Sequence, residues 1–295
     1  MKTLTGYLRL LRPANIVTAV ADILAGVAIA SSLLYFKQGF FSINIIYLAL
    51  STAFLYGGGV VLNDVFDADL DKIERPERPI PVGLIKKSHA AAFGMILLML
   101  GIASAALCNA TASLMAILIS IAAVVYDKWM KHHSFLGPLN MGICRGLNLL
   151  LGMSFYTPAI GFYWFIALVP VIYIFAITMI SRGEVHGGKK TTMYIAALLY
   201  TIVIASILII SFVTSFLLFT LPFIALFGLM IFFPLLKAIE KPEGPRIGKA
   251  VKRGVISLII MNAAWAAAFG HLGFALIILL LMPVSLLLAR LFAVT

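Results

Sequence analysis

Ten apolar runs, near residues 15–36, 43–62, 89–108, 111–127, 137–156, 160–181, 191–212, 214–236, 250–270 and 272–292, leave this chain little choice of fold. Each is about the length that crosses a hydrocarbon core of roughly 30 Å, and such a run satisfies its own backbone polar groups in lipid by coiling into a helix. Of the 295 residues 63% are hydrophobic and 11% charged, far from the balance of a soluble domain. The expected fold is all-α: a polytopic transmembrane bundle of nine to ten helices, nine if the last two runs form one span plus a re-entrant piece. No linker, low-complexity stretch or internal repeat divides it, so residues 1–295 read as a single domain.

The basic residues fall on one side of these runs. Lys2, Arg9 and Arg12 precede the first; Lys72, Arg75, Arg78, Lys86 and Lys87 follow the second; Lys128 and Lys131 follow the fourth. Arg182, Lys189 and Lys190 follow the sixth, and Lys237, Lys241, Arg246, Lys249, Lys252 and Arg253 surround the gap after the eighth, whereas the opposite loops carry Lys37 alone. By the positive-inside rule both termini and all the basic loops are expected in the cytoplasm. Topology and anionic lipid account for the +11 formal charge, so the expected partner is the bilayer and not nucleic acid. Cys108 and Cys144 are expected at different depths, which argues against a disulfide or zinc framework. A cleaved leader is not expected, because Asp22 interrupts the apolar core it would need.

A carboxylate cluster at a membrane exit needs a reason, and Asn63-Asp64-Val65-Phe66-Asp67-Ala68-Asp69-Leu70-Asp71 is one. If the helix continues through it, Asn63, Asp64, Asp67 and Asp71 share an arc of about 100° while Asp69 points away. Carboxylates a turn apart repel unless a cation lies among them. Hard oxygen donors with incomplete coordination suit Mg²⁺ completed by substrate phosphates. The stripe therefore reads as a magnesium–diphosphate site with those four residues as ligands, the alternative being a solvated acidic helix end. Arg75 and Arg78, in the following Arg75-Pro76-Glu77-Arg78-Pro79, offer planar donors to diphosphate oxygens or serve as anchoring charge. Within the apolar runs, Asn15 and Asp22 share a face of the first helix, Asn140, Arg145 and Asn148 lie in the fifth, and Asn262 and Trp265 in the ninth. An intramembrane charge must face a polar cavity, a partner or substrate. Arg145 reads either as a diphosphate or acceptor contact or as a salt bridge to Asp22 or another aspartate that orders the bundle.

Asn-Asp-x-x-Asp-x-x-x-Asp followed by Arg-Pro-x-Arg-Pro resembles the first signature of the UbiA family of intramembrane prenyltransferases, and Asn63 to Pro79 matches it at every motif position. The resemblance runs from Arg12-Pro13 through Tyr126 and Arg145. The segments Arg-Pro-Ala-Asn-Ile and Ser-Arg-Gly-Glu-Val-His-Gly-Gly look most like the UbiA-like EboC branch. It implies Mg²⁺-dependent transfer of a prenyl group from an allylic isoprenoid diphosphate to a small acceptor, in a bacterial inner (plasma) membrane. A cytoplasmic cap formed by residues 71–87 would cover a central polar cavity, with Tyr126 and Lys131 turned towards the diphosphate. The family's second motif, Asp-x-x-x-Asp, reads here Glu184-Val185-His186-Gly187-Gly188, so one carboxylate survives. Glu184 is then expected to share a Mg²⁺ with the first motif, and Arg182, Lys189 and His186 to touch diphosphate oxygens. Asn63, Asp67, Asp71, Glu184 and Arg145 form the expected catalytic set; the acceptor is not legible, because an apolar tunnel needs no special residues. Two other readings stay open, a transferase with a sugar diphosphate donor and a non-catalytic lipid binder or transporter.

Overall fold

The computed structural model describes residues 2–34, 42–185 and 187–292; the expectations for Lys37 and His186 lie outside them. The chain opens with α1 (Lys2–Leu11), whose buried Leu10 joins a small cluster with Val61, Val65, Ile80 and Ile85. Arg12 then takes a left-handed conformation (φ 47°), uncommon for a side-chain-bearing residue, and Pro13 starts the first span. The elements that follow are α2 (Pro13–Ser31), α3 (Ile43–Phe66), α4 (Ala68–Glu74), α5 (Lys87–Ala106), α6 (Ala110–Val125), α7 (Leu136–Met153), α8 (Pro158–Tyr163), α9 (Leu168–Ser181), α10 (Lys190–Val213), α11 (Leu217–Glu240), α12 (Gly244–Ala268) and α13 (Leu272–Leu291). Among the described residues no strand occurs.

Nine helices of the described residues are long and apolar enough to cross a membrane, counting Ala110–Met130 and Pro158–Ser181 as continuous rods. The 18-residue α7, which carries Asn140, Arg145 and Asn148, is not among these nine. The protein is a multi-pass membrane protein. Both α12, of 25 residues, and α13, of 20, are full-length helices, so the option of a re-entrant piece at the end is not realised.

The loops sort to two ends. At one, Arg12 meets Asp64, Lys131 meets Asp67, Arg182 meets the Lys131 and His133 carbonyls, and Gly188 meets Pro242. At the other, Asn109 reaches the Ser154 carbonyl and Thr214 that of Ala268. Every basic loop residue named above that the structure describes belongs to the first end. Helix α2 lies centrally, against α3, α7, α12 and α13. Its approach to α7 is backbone to backbone: a Cβ on Gly26 would sit 2.5 Å from the Leu149 carbonyl oxygen, and one on Gly152 2.5 Å from that of Ile23. Small residues permit such contact where lipid supplies no hydrophobic drive between helices. That contact is what sets Asp22 opposite Arg145.

Candidate functional site

The acidic stripe does not continue as one helix. Asp67 closes α3 through its amide on the Asn63 carbonyl (3.0 Å), takes φ −83° and ψ −4°, and accepts the Asp71 amide at 2.8 Å as α4 begins. Three of the four polar residues expected on one face stay together across this bend. Asn63, Asp67 and Asp71 line a cavity of about 360 Å³, whereas Asp64 is buried and not part of its wall. Asp69 points away, is exposed, and pairs with Lys72 at 2.9 Å and Lys87 at 3.2 Å, which holds its carboxyl below the usual range.

The first-motif aspartates on the cavity wall, Asp67 and Asp71, each have a basic partner, and so does the buried Asp64. Arg78 bridges Asp71 (2.7 Å) and Asp64 (3.1 Å), and Arg12 donates to the same Asp64 oxygen at 2.6 Å. Lys131 pairs with Asp67, and the Asn63 amide donates to Asp127 at 2.7 Å. Arg75 also lines the cavity, and among the described residues it has no carboxylate within ion-pair distance. The last turn before Lys131 is a π-helical turn, Tyr126–Met130, a local widening often found at functional sites; it places both Tyr126 and Asp127 on the cavity wall.

Deeper in the bundle the cavity wall includes Thr52, Tyr56, Arg145 and Asn148. Arg145 donates to Asp22 Oδ2 at 2.5 Å and to Thr18 Oγ1 at 2.5 Å, and its guanidinium lies 5.5 Å from the Tyr56 ring centre. Asn148 donates to the same Asp22 oxygen at 2.9 Å and Asn262 to the other at 2.7 Å. Thr52 donates to the Asn148 side chain at 2.7 Å. The Arg145–Asp22 salt bridge is thus realised, and it fixes Arg145 on the cavity floor instead of leaving it free. Leaving either charge unpaired in so buried a place costs about 3–5 kcal/mol. Asn15 offers its backbone carbonyl to Thr18 and does not line the cavity.

The second loop stands apart. Neither Arg182, Glu184 nor Lys189 belongs to the cavity wall. Arg182 donates to the His133 carbonyl at 2.5 Å, and Lys189 is exposed just before α10. The Glu184 loop is packed against the 242–247 turn, where a Cβ on Gly244 would lie 2.2 Å from the Glu184 carbonyl oxygen. Its half-buried carboxyl is pushed above the ordinary glutamate range by burial, an effect that the nearby Arg75 opposes. Arg12 and Asp127 are cavity residues given no site role on sequence grounds. The signal for them was present: Asp127 ends an apolar run as Asn63 does, and Thr52, Tyr56, Gly59, Asn63 and Asp67 follow a helical stripe into the same mouth.

The UbiA prenyltransferase family model matches residues 23–256. The chain belongs to that family. Among curated relatives, the digeranylgeranylglyceryl phosphate synthase of Sulfurisphaera tokodaii is 30% identical over 222 residues, 71% of this chain and 77% of its own. That of Saccharolobus solfataricus is 30% identical over 182 residues, 61% of each. A solved structure described as giving insights into digeranylgeranylglyceryl phosphate synthase in membranes aligns with a TM-score of 0.67 at 23% identity, covering 91% of this chain and 99% of the other. A UbiA homolog from Archaeoglobus fulgidus bound to DMAPP and Mg²⁺ gives 0.61 at 19%, covering 90% and 99%. These likenesses establish the UbiA fold, and prenyl transfer is the class of chemistry to which this UbiA-family enzyme belongs. The narrower EboC-like resemblance rests on the sequence alone.

Proposed function

We propose that this UbiA-family chain transfers a prenyl group from an allylic isoprenoid diphosphate to a hydroxyl of a small acceptor held in the same cavity, in a Mg²⁺-dependent reaction on the cytoplasmic side. The observation that carries this reading is the convergence of Asn63, Asp67, Asp71, Arg75, Tyr126 and Lys131 on one cavity whose wall continues into apolar Leu55, Val60, Ile119 and Met141. A polar mouth above an apolar trough matches an amphiphile with a charged head. The donor set fits magnesium: two carboxylates and an amide whose oxygen is not used by Asp127 are hard, incomplete ligands that phosphate oxygens complete. Bound there, the ion would neutralise charge developing on the leaving diphosphate.

The chain's own residues do the rest. Arg78 and Lys131, now spent on Asp71 and Asp67, are within reach of the same mouth and exchange carboxylate for diphosphate oxygens as the donor enters. Arg75 binds the diphosphate directly, and Glu184 acts as its positioning residue. Arg145, held by Asp22 and Thr18, gives the floor a fixed positive charge beside the reacting carbon's trough. The relatives' name describes a glyceryl phosphate bearing two geranylgeranyl groups, so a glyceryl phosphate hydroxyl is the acceptor class this reading takes. As the allylic C–O bond breaks, the diphosphate leaves with its electron pair, and the acceptor oxygen forms the new bond and gives up its proton to the departing diphosphate.

The test is to incubate purified protein with Mg²⁺, allylic diphosphates of several lengths and glyceryl phosphate acceptors, and to identify products by mass spectrometry. A prenyl ether that appears with Mg²⁺ and disappears with chelation is expected. Turnover of phosphoribosyl diphosphate instead would move the chain to the sugar-donor reading, and saturable binding without turnover would make it a binder. The orientation is tested in intact cells, where a cysteine at Glu243→Cys should stay unlabelled by an impermeant reagent added outside.

A further inference from the structure

A second cavity, of about 990 Å³, lies between α11, α12 and α13 and shares no lining residue with the first. Six cations line it: Lys237, Arg246, Lys249, Lys252, Arg253 and Arg290, with no carboxylate in the wall. The positive-inside rule accounts for basic residues at this end, but not for their convergence. On α12, Arg246, Lys249 and Arg253 fall within about 60° of one another and Lys252 within about 60° more. Like charges a turn apart repel. Their neighbours do little to cancel that: Arg246 approaches Glu240 only to 3.9 Å and donates to the Lys237 carbonyl at 3.1 Å. Lys237 stacks over the Phe233 ring at 4.2 Å, and Arg253 lies 3.4 Å from the Met230 sulfur. The same groove exposes Leu229 (69%) and Phe233 (62%) on helices that cross the membrane, so it opens towards lipid.

We propose that this groove is a binding site for an anionic membrane lipid, with the phosphate headgroup held by Lys249, Arg253 and Arg290 and a hydrocarbon tail lying along Phe233 and Leu229. Guanidinium and ammonium donors around a phosphate are the pairing that desolvated anions favour, and basic pockets between spans are known to take lipid headgroups. An amphiphile answers both features of the groove. A soluble anion answers one, and a second copy of this positively lined face would repel the first.

The test uses full-length protein, stripped of lipid in a neutral detergent and titrated with phosphatidylglycerol or phosphatidylcholine while bound lipids are counted by native mass spectrometry. One tight phosphatidylglycerol is expected, with phosphatidylcholine much weaker. The double variant Lys249→Gln/Arg253→Gln should weaken it by about thirtyfold, at the typical strength of a basic residue near an anionic lipid surface, whereas Lys249→Arg keeps it. A control pair, Lys86→Gln/Lys190→Gln, removes the same charge from the same end outside the groove and should leave the tight lipid in place. Equal weakening by the control, equal binding of phosphatidylcholine, or displacement by inorganic phosphate at matched concentration would each overturn the proposal, as would a dimer appearing where lipid was expected.

Discussion

The two polar connections of residues 63–78 and 182–189 lie at the same end of the bundle and are built for different work. In the first, Asp67 and Asp71 face the cavity and cations hold the buried acids, with Arg78 across Asp64 and Asp71 and Lys131 on Asp67. The second is a backbone joint. Gly187 takes φ 82°, the Gly188 amide donates to the Pro242 carbonyl at 3.1 Å, and a Cβ on Gly244 would lie 2.2 Å from the Glu184 carbonyl oxygen. A loop held this closely along its backbone has little freedom to carry a ligand to the cavity. The comparison teaches where neutralising charge comes from in this chain: Arg12, Arg78 and Lys131 balance the carboxylates of the first motif, whereas the Glu184 loop is held by backbone contacts.

The largest expected effect separates the two loops directly. Asp67→Ala or Asp71→Ala should lower kcat/KM by about a hundredfold or more, since either change leaves the metal under-coordinated. Asp69→Ala should stay within about twofold, because its ion pairs are exposed. Equal losses from all three in steady-state assays would break the assignment of a cavity face.

Next in size, Arg75→Ala should raise the diphosphate KM by about tenfold, the range of one charge-assisted hydrogen bond. Glu184→Ala should raise KM rather than lower kcat, and the double variant should be no worse than Arg75→Ala alone. A Glu184→Ala enzyme that loses kcat as severely as Asp71→Ala would instead put the second loop on the metal. Lys189→Ala, outside the cavity wall, should change KM by less than about threefold.

Smaller still is the restored motif. At Gly188 the two tightest contacts of a Cβ would be side-chain tips, Ile247 Cδ1 at 3.0 Å and Met193 Cε at 3.2 Å, with the Gly183 Cα at an ordinary 3.8 Å, so Gly188→Asp should fold with modest local adjustment. Its turnover and its dependence on Mg²⁺ concentration should both match the parent, because the packed loop does not line the cavity; a magnesium titration that steepened would put the loop on the ion.

The smallest effect is on stability. Burial lifts the Glu184 pKa above the ordinary glutamate value, so ionisation is disfavoured in the folded state and costs stability as pH rises through the folded pKa. Glu184→Gln removes that cost. Its melting temperature should exceed the parent's at pH 8 and converge with it near pH 4; a gap that widened on acidification would reverse the sign and refute a raised pKa.

Much of this was legible in the residues. The spans follow from length and apolarity, and the first motif from five polar acceptors at a membrane exit. The mutual partners of Asp22 and Arg145 followed from the high cost of charge in a membrane, which makes any two such residues candidates for each other. The bend at Asp67 was not legible, because Asp67 carries no helix-breaking residue type and the break is a matter of hydrogen-bond register. Nor was the demotion of Asp64 from the cavity wall, which depends on Arg12 and Arg78 arriving from two other segments.

By itself the sequence determined a helical membrane bundle with its basic loops on one side, the face of the acidic motif that turns inward, and the loss of one carboxylate from the second motif. These are local properties, set by transfer free energies and by a periodicity of 3.6 residues. Only the tertiary structure decided which cation neutralises which aspartate, that Glu184 sits in a packed joint outside the cavity wall, that Asp127 enters the cavity, and that six cations converge on one lipid-facing groove. Those outcomes hang on contacts between residues tens to hundreds of positions apart, such as Asp22 with Asn262, whose geometry is fixed by how closely helix backbones can approach and not by any pattern along the chain.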